Sequence, residues 1–364
     1  MSTLTLIGEP FPDNESRLQA AASRCLTEAL AETAPRGCSS RLIVAKDTTP
    51  PELSSARASV EAVPLTSGSL PLLWRTGTTA RPLDGEFVHS NTPLVPLRSR
   101  TEDDGSQTSV VIPHTLAWDA PELMGVAQAR SYRSFVKRAA RLADALLAPT
   151  HAVAERLQQL FPVEVRVLPL AAPLELLAGA DAAERRARIG LAERYLATTA
   201  LPGQHGRLEW LLDAMERDAE LPQLAVLHFG AEPLPPVRDS LSDRVRVVQF
   251  ADPATELADF GAVIAGARLL ALPQTVLGAG YEVLGAIAAH VPVLHAGCAA
   301  AAELALDAAV GAPGEAEFAA ELALLMSEAG AERLQRLRIL AEDRSRSTGW
   351  RITAWQLWEL HANL

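Results

Sequence analysis

The chain has 364 residues, 48% of them hydrophobic, and a formal net charge of −11. That length suits two domains with cores of their own, and the apolar share excludes global disorder. The acidic balance speaks against a nucleic-acid-binding protein, which normally carries a basic stripe.

Leu4–Ile7 reads as a first strand, ending at Gly8, and the loop Glu9–Asn14 leads into a helix over Glu15–Glu32. Asn14 is the expected N-cap, because its side chain can accept from the free N–H groups of the first turn. Arg41–Ala45 is the next strand, and Lys46–Ser59, rich in Pro, Ser and Thr, is expected as loop. The polar stretch Ser99–Gln107 is expected to be exposed. Ser109–Ile112 is a buried strand that delivers His114 into a loop. A histidine at such a strand end serves structure as readily as chemistry.

A helix is expected over Arg130–Leu147. Arg130, Arg133, Lys137 and Arg141 recur at three- and four-residue steps and so line one face. Such a face is either simply solvated or meets an anionic membrane, a phosphorylated acceptor or an acidic partner. Thr150 precedes a helix over His151–Leu160, and Val163–Leu168 is a strand. A charged helix over Leu174–Leu191 then opens a second series: strands Tyr195–Thr199, Leu224–Phe229 and Val245–Phe250, and a helix over Glu256–Gly266.

Leu269–Leu272 is an apolar run stopped by Pro273. A loop with Gly278 and Gly280 follows, then an alanine-rich helix from Val283 to about His290 and a second apolar run, Val291–Leu294. Strand, glycine loop, helix and strand make the βαβ unit of a doubly wound sheet. The free N–H groups at the start of that helix can hold an anion. The G-x-G pattern by itself fits a packing pair equally well. Val283–Ala302 carries no Asp, Glu, Lys or Arg, but Pro292, Gly297 and two histidines make it a soluble core segment rather than a membrane span. Helices over Pro313–Glu328 and Ala331–Asp343 come late in the chain. Cys25, Cys38 and Cys298 form no C-x-x-C pair, which fits a reduced, cytoplasmic compartment, and no cluster has metal-ligand spacing. The amino terminus lacks the basic and apolar regions of a signal peptide.

At the glycine loop the chain resembles the family-4 glycosyltransferases, whose carboxy-terminal signature reads roughly LPS…EGFG-x-x-x-LEA-x-A-x-G-x-PV. Leu272-Pro273, Gly278, Gly280, Leu284, Ala286, Ala288 and Val291-Pro292-Val293 stand in that pattern, and Glu303 matches a glutamate that follows it. Glu86–His89 is similar to a short strand of the family that ends in histidine, Ser109–His114 to its histidine segment, Ala145–Thr150 to a strand that ends in serine, and Gly349–Leu360 to its terminal helix. The resemblance implies an α/β protein of the GT-B fold, with two Rossmann-like domains facing each other across a cleft. These are an acceptor-side domain over 1–173, a nucleotide-sugar domain over 174–347, and a terminal helix over 348–364 that packs back on the first. It implies a retaining, metal-independent transferase that moves a sugar from a nucleotide sugar to a glycan, lipid or small-molecule acceptor, with no cofactor besides that donor. His114 stands at the catalytic position, with Asn14 and Thr150 in the cleft. Gln204, His205, Arg207, Gly278, Ala279, Gly280, Tyr281 and Glu282 stand at the donor.

The departures matter as much. Leu277 and Gly285 hold the places of the family's two glutamates, Gln274 that of its serine, Thr115 that of the aspartate after the histidine, and Ala200 that of a phosphate-loop glycine. The cluster Gln204–Arg207 has no lysine. UDP- and GDP-sugars are therefore expected to bind weakly or not at all, and L277E with G285E to strengthen nucleotide binding if the backbone at Gly285 is helical. A second reading stays open: a catalytically silent homologue that binds glycan or partners an active transferase. An epimerase or dehydrogenase reading lacks its G-x-G-x-x-G after the first strand. Peripheral membrane contact through the Arg130–Arg141 face and homo- or hetero-oligomerisation stay open as well.

Overall fold

The computed structural model describes residues 2–77, 87–99, 105–230, 234–249 and 255–364. The chain divides into two compact units, Met1–Ala171 together with Gly349–Leu364, and Ala172–Thr348. The expected strand residues Glu86 and Phe250, and residues 100–104 of the polar stretch, lie outside the described residues.

The first unit is built on strands β1 (Ser2–Ile7), β2 (Cys38–Ala45), β3 (Ala58–Val63), β4 (Phe87–Ser90), β5 (Gln107–Val111), β6 (Ala145–Ala148) and β7 (Val165–Val167). They form one seven-stranded sheet in the order β3-β2-β1-β4-β5-β6-β7. All its pairings are parallel. β6, Ala145-Leu146-Leu147-Ala148, is apolar and buried throughout, as a parallel strand covered on both faces is. One core gathers Phe11, Trp74, Tyr132 and Phe135. In it Phe11 meets Tyr132 edge-on, with ring centroids 5.0 Å apart. The last helix, Trp350–Asn363, belongs to this unit. Thr353 Oγ1 donates to the Pro169 carbonyl at 2.7 Å and Trp358 Nε1 to the Leu30 carbonyl at 3.2 Å.

The second unit carries β8 (Tyr195–Ala200), β9 (Gln223–His228), β10 (Val245–Gln249), β11 (Leu270–Leu272), β12 (Val293–His295) and β13 (Ala309–Gly311). The six strands are ordered β10-β9-β8-β11-β12-β13 and are again all parallel. Leu211, Met215, Leu224, Val226, Phe318 and Leu322 lie in its core. The charge-free segment 283–302 is divided between the helix Tyr281–Ala288, β12 and the helix Ala299–Ala305. Among the described residues no helix is long and apolar enough to cross a membrane.

Several local expectations need correction. The expected loop Lys46–Ser59 gives way at Ala58 to β3, an edge strand that pairs with β2 and is largely solvent-facing, so the alternation of a half-buried strand is weak. The helix expected over Arg130–Leu147 is Val126–Leu142. It stops before Asp144, whose carboxylate accepts from the Thr108 N–H at 2.6 Å and lets Ala145 enter β6. The charged helix expected over Leu174–Leu191 is a single turn, Leu174–Leu176, followed by Ala182–Ile189. Gly190, at φ +82°, ends it, because a glycine takes the left-handed conformation without a Cβ clash. Asn14 does not cap the first helix, which runs Ser16–Thr33 after Glu15. Asn14 is exposed, and Asp13 is the residue whose carboxylate accepts from the Glu15 N–H, at 2.9 Å.

Candidate functional site

In the second sheet β8 lies between β9 and β11, so the strand order reverses there. Loops leaving neighbouring strands at such a reversal part to opposite faces and open a crevice at the carboxyl ends. Here the loops after β8 and β11 are tied together. Thr275 N–H donates to the His205 carbonyl at 3.0 Å, and His205 Nδ1 lies 3.0 Å from Thr275 Oγ1. Beside this tie Gln274 Nε2 donates to Thr199 Oγ1 at 2.9 Å, and the Thr199 hydroxyl reaches the Glu282 carboxyl. The other amide atom, Gln274 Oε1, is buried without a hydrogen-bond partner. Gln274 is 1% exposed and Glu282 6%. Burial pushes the Glu282 carboxyl up to about 7, while its own N–H and the Thr199 hydroxyl favour the charged form. Burial also raises the Cys298 thiol, and the Glu282 charge raises it further.

The other residues that the family resemblance places at the donor are used differently. Gly280 sits at φ +78° before the helix Tyr281–Ala288. A Cβ there would come within 2.4 Å of Leu304 Cδ1 and 3.0 Å of Leu277 Cδ2, so the close approach this glycine permits is to two leucines. Ala279 and Tyr281 are buried and Gly278 half-buried. Gln204 is exposed. Arg207, at φ +49°, holds its guanidinium 4.5 Å above the Trp210 ring, a cation–π contact within the first turn of the helix that it precedes. At the places of the two family glutamates, Leu277 is 7% exposed and Gly285 is buried. A Cβ on Gly285 would point at Leu176 Cβ and Cδ1, both 3.5 Å away, and at Ile264 Cδ1, 3.9 Å away.

In the first unit His114 follows β5 and is 2% exposed. Its ring stacks on Tyr132 with centroids 4.8 Å apart and planes 11° from parallel. The Tyr132 hydroxyl donates to the His114 carbonyl at 3.0 Å. His114 Nε2 lies 3.9 Å from Asp13 Oδ2, whereas Nδ1 is buried without a hydrogen-bond partner. Gln19 Nε2 donates to both Asp13 oxygens at 3.0 Å, and Gln19 Oε1 accepts from the Phe11 N–H at 2.9 Å. The loop after β1 is thus braced by side chains where a glycine-rich loop would leave backbone free. Thr150 caps the helix His151–Leu160, its hydroxyl accepting from the Val153 N–H at 3.2 Å.

No family model matches the chain, and no curated protein does. Solved structures do. Sucrose-phosphate synthase from Thermosynechococcus elongatus aligns at a TM-score of 0.71 and 16% identity over 100% of this chain and 99% of that one. Anabaena HepE in complex with UDP and glucose aligns at 0.64 and 14% over 100% of both chains. WaaG, a glycosyltransferase involved in lipopolysaccharide biosynthesis, aligns at 0.62 and 14% over 98% of this chain and 99% of that one. The fold is GT-B. The seven- and six-stranded sheets are its two Rossmann-like domains. At such identities the likeness is one of fold, and the site has to be argued from residues.

Several residues of these two clusters escape a reading by motif. Asp13, Gln19 and Tyr132 lie 101, 95 and 18 positions from His114, and nothing in their spacing announces the contact. Thr199 and Cys298 fall outside the glycine motif. Gln274 was visible as the residue in the family's serine place, but its partner was not.

Proposed function

We propose that this GT-B protein is a glycosyltransferase of the family-4 kind, whose second unit takes a nucleotide-sugar donor through a rearranged set of polar groups. The observation that supports this most is the cluster Gln274, Thr199 and Glu282 at the strand-order reversal of that unit, with one buried amide oxygen still unpartnered. A sugar or ribose presents paired hydroxyls, and a buried amide or carboxyl oxygen gains most from accepting them. Solved structures of the same fold hold UDP with glucose, or UDP-glucose, in Anabaena HepE. His114, oriented by Tyr132 and Asp13, supplies the polar group of the first unit, toward a glycan, lipid or small-molecule acceptor. The chemistry expected of this reading is retention without a metal. Calorimetric titration with UDP, GDP, UDP-glucose and GDP-mannose tests it. Binding that falls about tenfold or more in Glu282→Gln or Gln274→Ala, roughly 1.4 kcal/mol, together with turnover of one donor, is the expected result.

A second reading is a silent homologue that binds glycan or partners an active transferase. It is favoured by the apolar surroundings of Leu277 and Gly285, which leave no carboxylate at either family position. Absence of heat with every one of these nucleotides would select it.

A further inference from the structure

We propose that the exposed face of the Val126–Leu142 helix, with the end of the helix Leu70–Arg75 beside it, docks on an anionic lipid bilayer. The Val126–Leu142 helix buries Ala129, Tyr132, Phe135, Val136 and Ala139 against the first core. Arg130, Lys137 and Arg141 stand exposed on its other side. Arg133 is half-buried because its Nε donates to the Ala117 carbonyl at 2.8 Å. At a rise of about 1.5 Å per residue the cations from Arg130 to Arg141 span roughly 16 Å.

Two shallow cavities of about 620 and 590 Å³ flank this face and share Ser134 and Lys137. Arg130, Arg133 and Lys137 line the first, with Glu122 as the carboxylate in its wall; Arg75, Lys137, Arg138 and Arg141 line the second. Among the described residues no carboxylate is ion-paired with Arg75, Arg130, Lys137 or Arg141. On a chain of net charge −11 most of the surface is repelled by an anionic bilayer, so a local basic face sets orientation as well as affinity.

Two exposed aliphatic side chains separate a bilayer from a soluble polyanion. Val126, in the wall of the first cavity, is 77% exposed, and Leu72, one helical turn before Arg75, is 63% exposed. A bilayer interface receives both cations and aliphatic side chains, whereas a soluble polyanion leaves the latter in water.

The test is flotation of the full chain with phosphatidylcholine vesicles, with and without about 30% phosphatidylglycerol, at about 50 mM and about 0.5 M salt. We expect binding only to the anionic vesicles and only at low salt. R75Q/R130Q/K137Q/R141Q should lose at least about tenfold in partitioning, since each cation near such a surface is worth roughly fivefold. R75K/R130K/R141K keeps the charges and should bind like the parent, because a bilayer reads charge rather than guanidinium shape. Leu72→Ser with Val126→Ser should weaken binding while leaving its salt dependence in place. Three outcomes overturn the proposal: no flotation of the parent at low salt, parent-like flotation of the glutamine variant, or a lysine variant as weak as the glutamine one, which would indicate a shaped phosphate site. Tight binding of inorganic polyphosphate without vesicle binding overturns it too. Should the glutamine variant fail to fold, the lipid and salt dependence of the parent and the lysine variant decide.

Discussion

Ser109 Oγ and His361 Nε2 lie 2.9 Å apart, joining residues 252 positions apart in the sequence. Ser109 Oγ is also 2.8 Å from His89 Nδ1, and His89 Nε2 is 3.1 Å from Asn91 Oδ1. With Asn91 Oδ1 accepting from His89 Nε2–H, the Ser109 hydroxyl donates to His89 Nδ1 and its oxygen accepts from His361 Nε2–H. His361 Nδ1 is then an acceptor, so the Gln107 amide that faces it at 3.2 Å must present its N–H₂ there, the reverse of the assigned Oε1. We predict that Ser109→Ala, which strands two buried ring nitrogens, costs about 2–4 kcal/mol. Urea unfolding, with limited proteolysis of the helix Trp350–Asn363, measures it; a loss under about 0.5 kcal/mol would mean that this chain of hydrogen bonds holds nothing.

Both histidines titrate far below the ordinary imidazole value. Burial takes His89 down to about 3, with the nearby His361 charge adding to the effect, and takes His361 to about 4 despite the opposing Asp144 carboxylate. The folded chain keeps both neutral, whereas the unfolded chain protonates below about 6.5. Their contribution is therefore complete above pH 6.5 and is lost as pH falls toward 4. By pH 4.5 the loss is roughly 2–3 kcal/mol per histidine. Thermal unfolding of the parent and of His361→Asn between pH 7 and 4.5 should show a shallower pH dependence in the variant.

Glu282 carries the opposite sign. Its folded value of about 7 lies above the ordinary glutamate value, so the fold binds a proton that the unfolded chain releases. That contribution is present below about pH 4.5 and lost as pH rises through 7, at most about 3 kcal/mol. Glu282→Gln is expected to unfold like the parent at pH 4.5 and to be about 1–3 kcal/mol more stable at pH 8. Peptide-level hydrogen exchange should then show the first unit loosening in acid and the second in alkali. Equal stability of parent and variant at pH 8 would mean that the carboxyl is not held in a desolvated place.

Gly285 decides whether the family carboxylate can be put back. The space around its missing Cβ begins at 3.5 Å, ordinary contact distance, and is bounded by Leu176 and Ile264. We predict that Gly285→Ala raises stability by about 0.5–1 kcal/mol, the helix-propensity gain. Gly285→Glu is expected to lose about 3 kcal/mol or more, because it sets a carboxylate against two aliphatic side chains. This prediction runs against the expectation that L277E with G285E strengthens nucleotide binding, although Gly285 does lie in a helix. Melting curves of Gly285→Ala, Gly285→Glu and L277E/G285E, run beside a UDP titration, decide between the two; a Gly285→Glu protein both stable and binding would overturn the prediction.

The βαβ series and its glycine loop were legible in the residues alone, and the terminal tryptophan helix through the family resemblance. Apolar runs, breakers and helical periods are encoded over stretches of about ten residues and need no knowledge of a partner. They failed where local composition and tertiary demand disagree, as in the edge strand Ala58–Val63 and at Asn14, which stays exposed while the Asp13 carboxylate accepts from the Glu15 N–H ahead of the helix. The chemistry was set by tertiary structure, because a buried polar side chain is defined by what it meets. His114 alone is a histidine after a strand; stacked on Tyr132 and facing Asp13, with Nδ1 bare, it is an oriented ring. Glu282 alone is a charge in a loop motif; buried beside Thr199, it is a carboxyl that titrates near neutrality. Which residue meets which depends on strand order, since β8 and β11 are neighbours although β9 and β10 lie between them in the sequence.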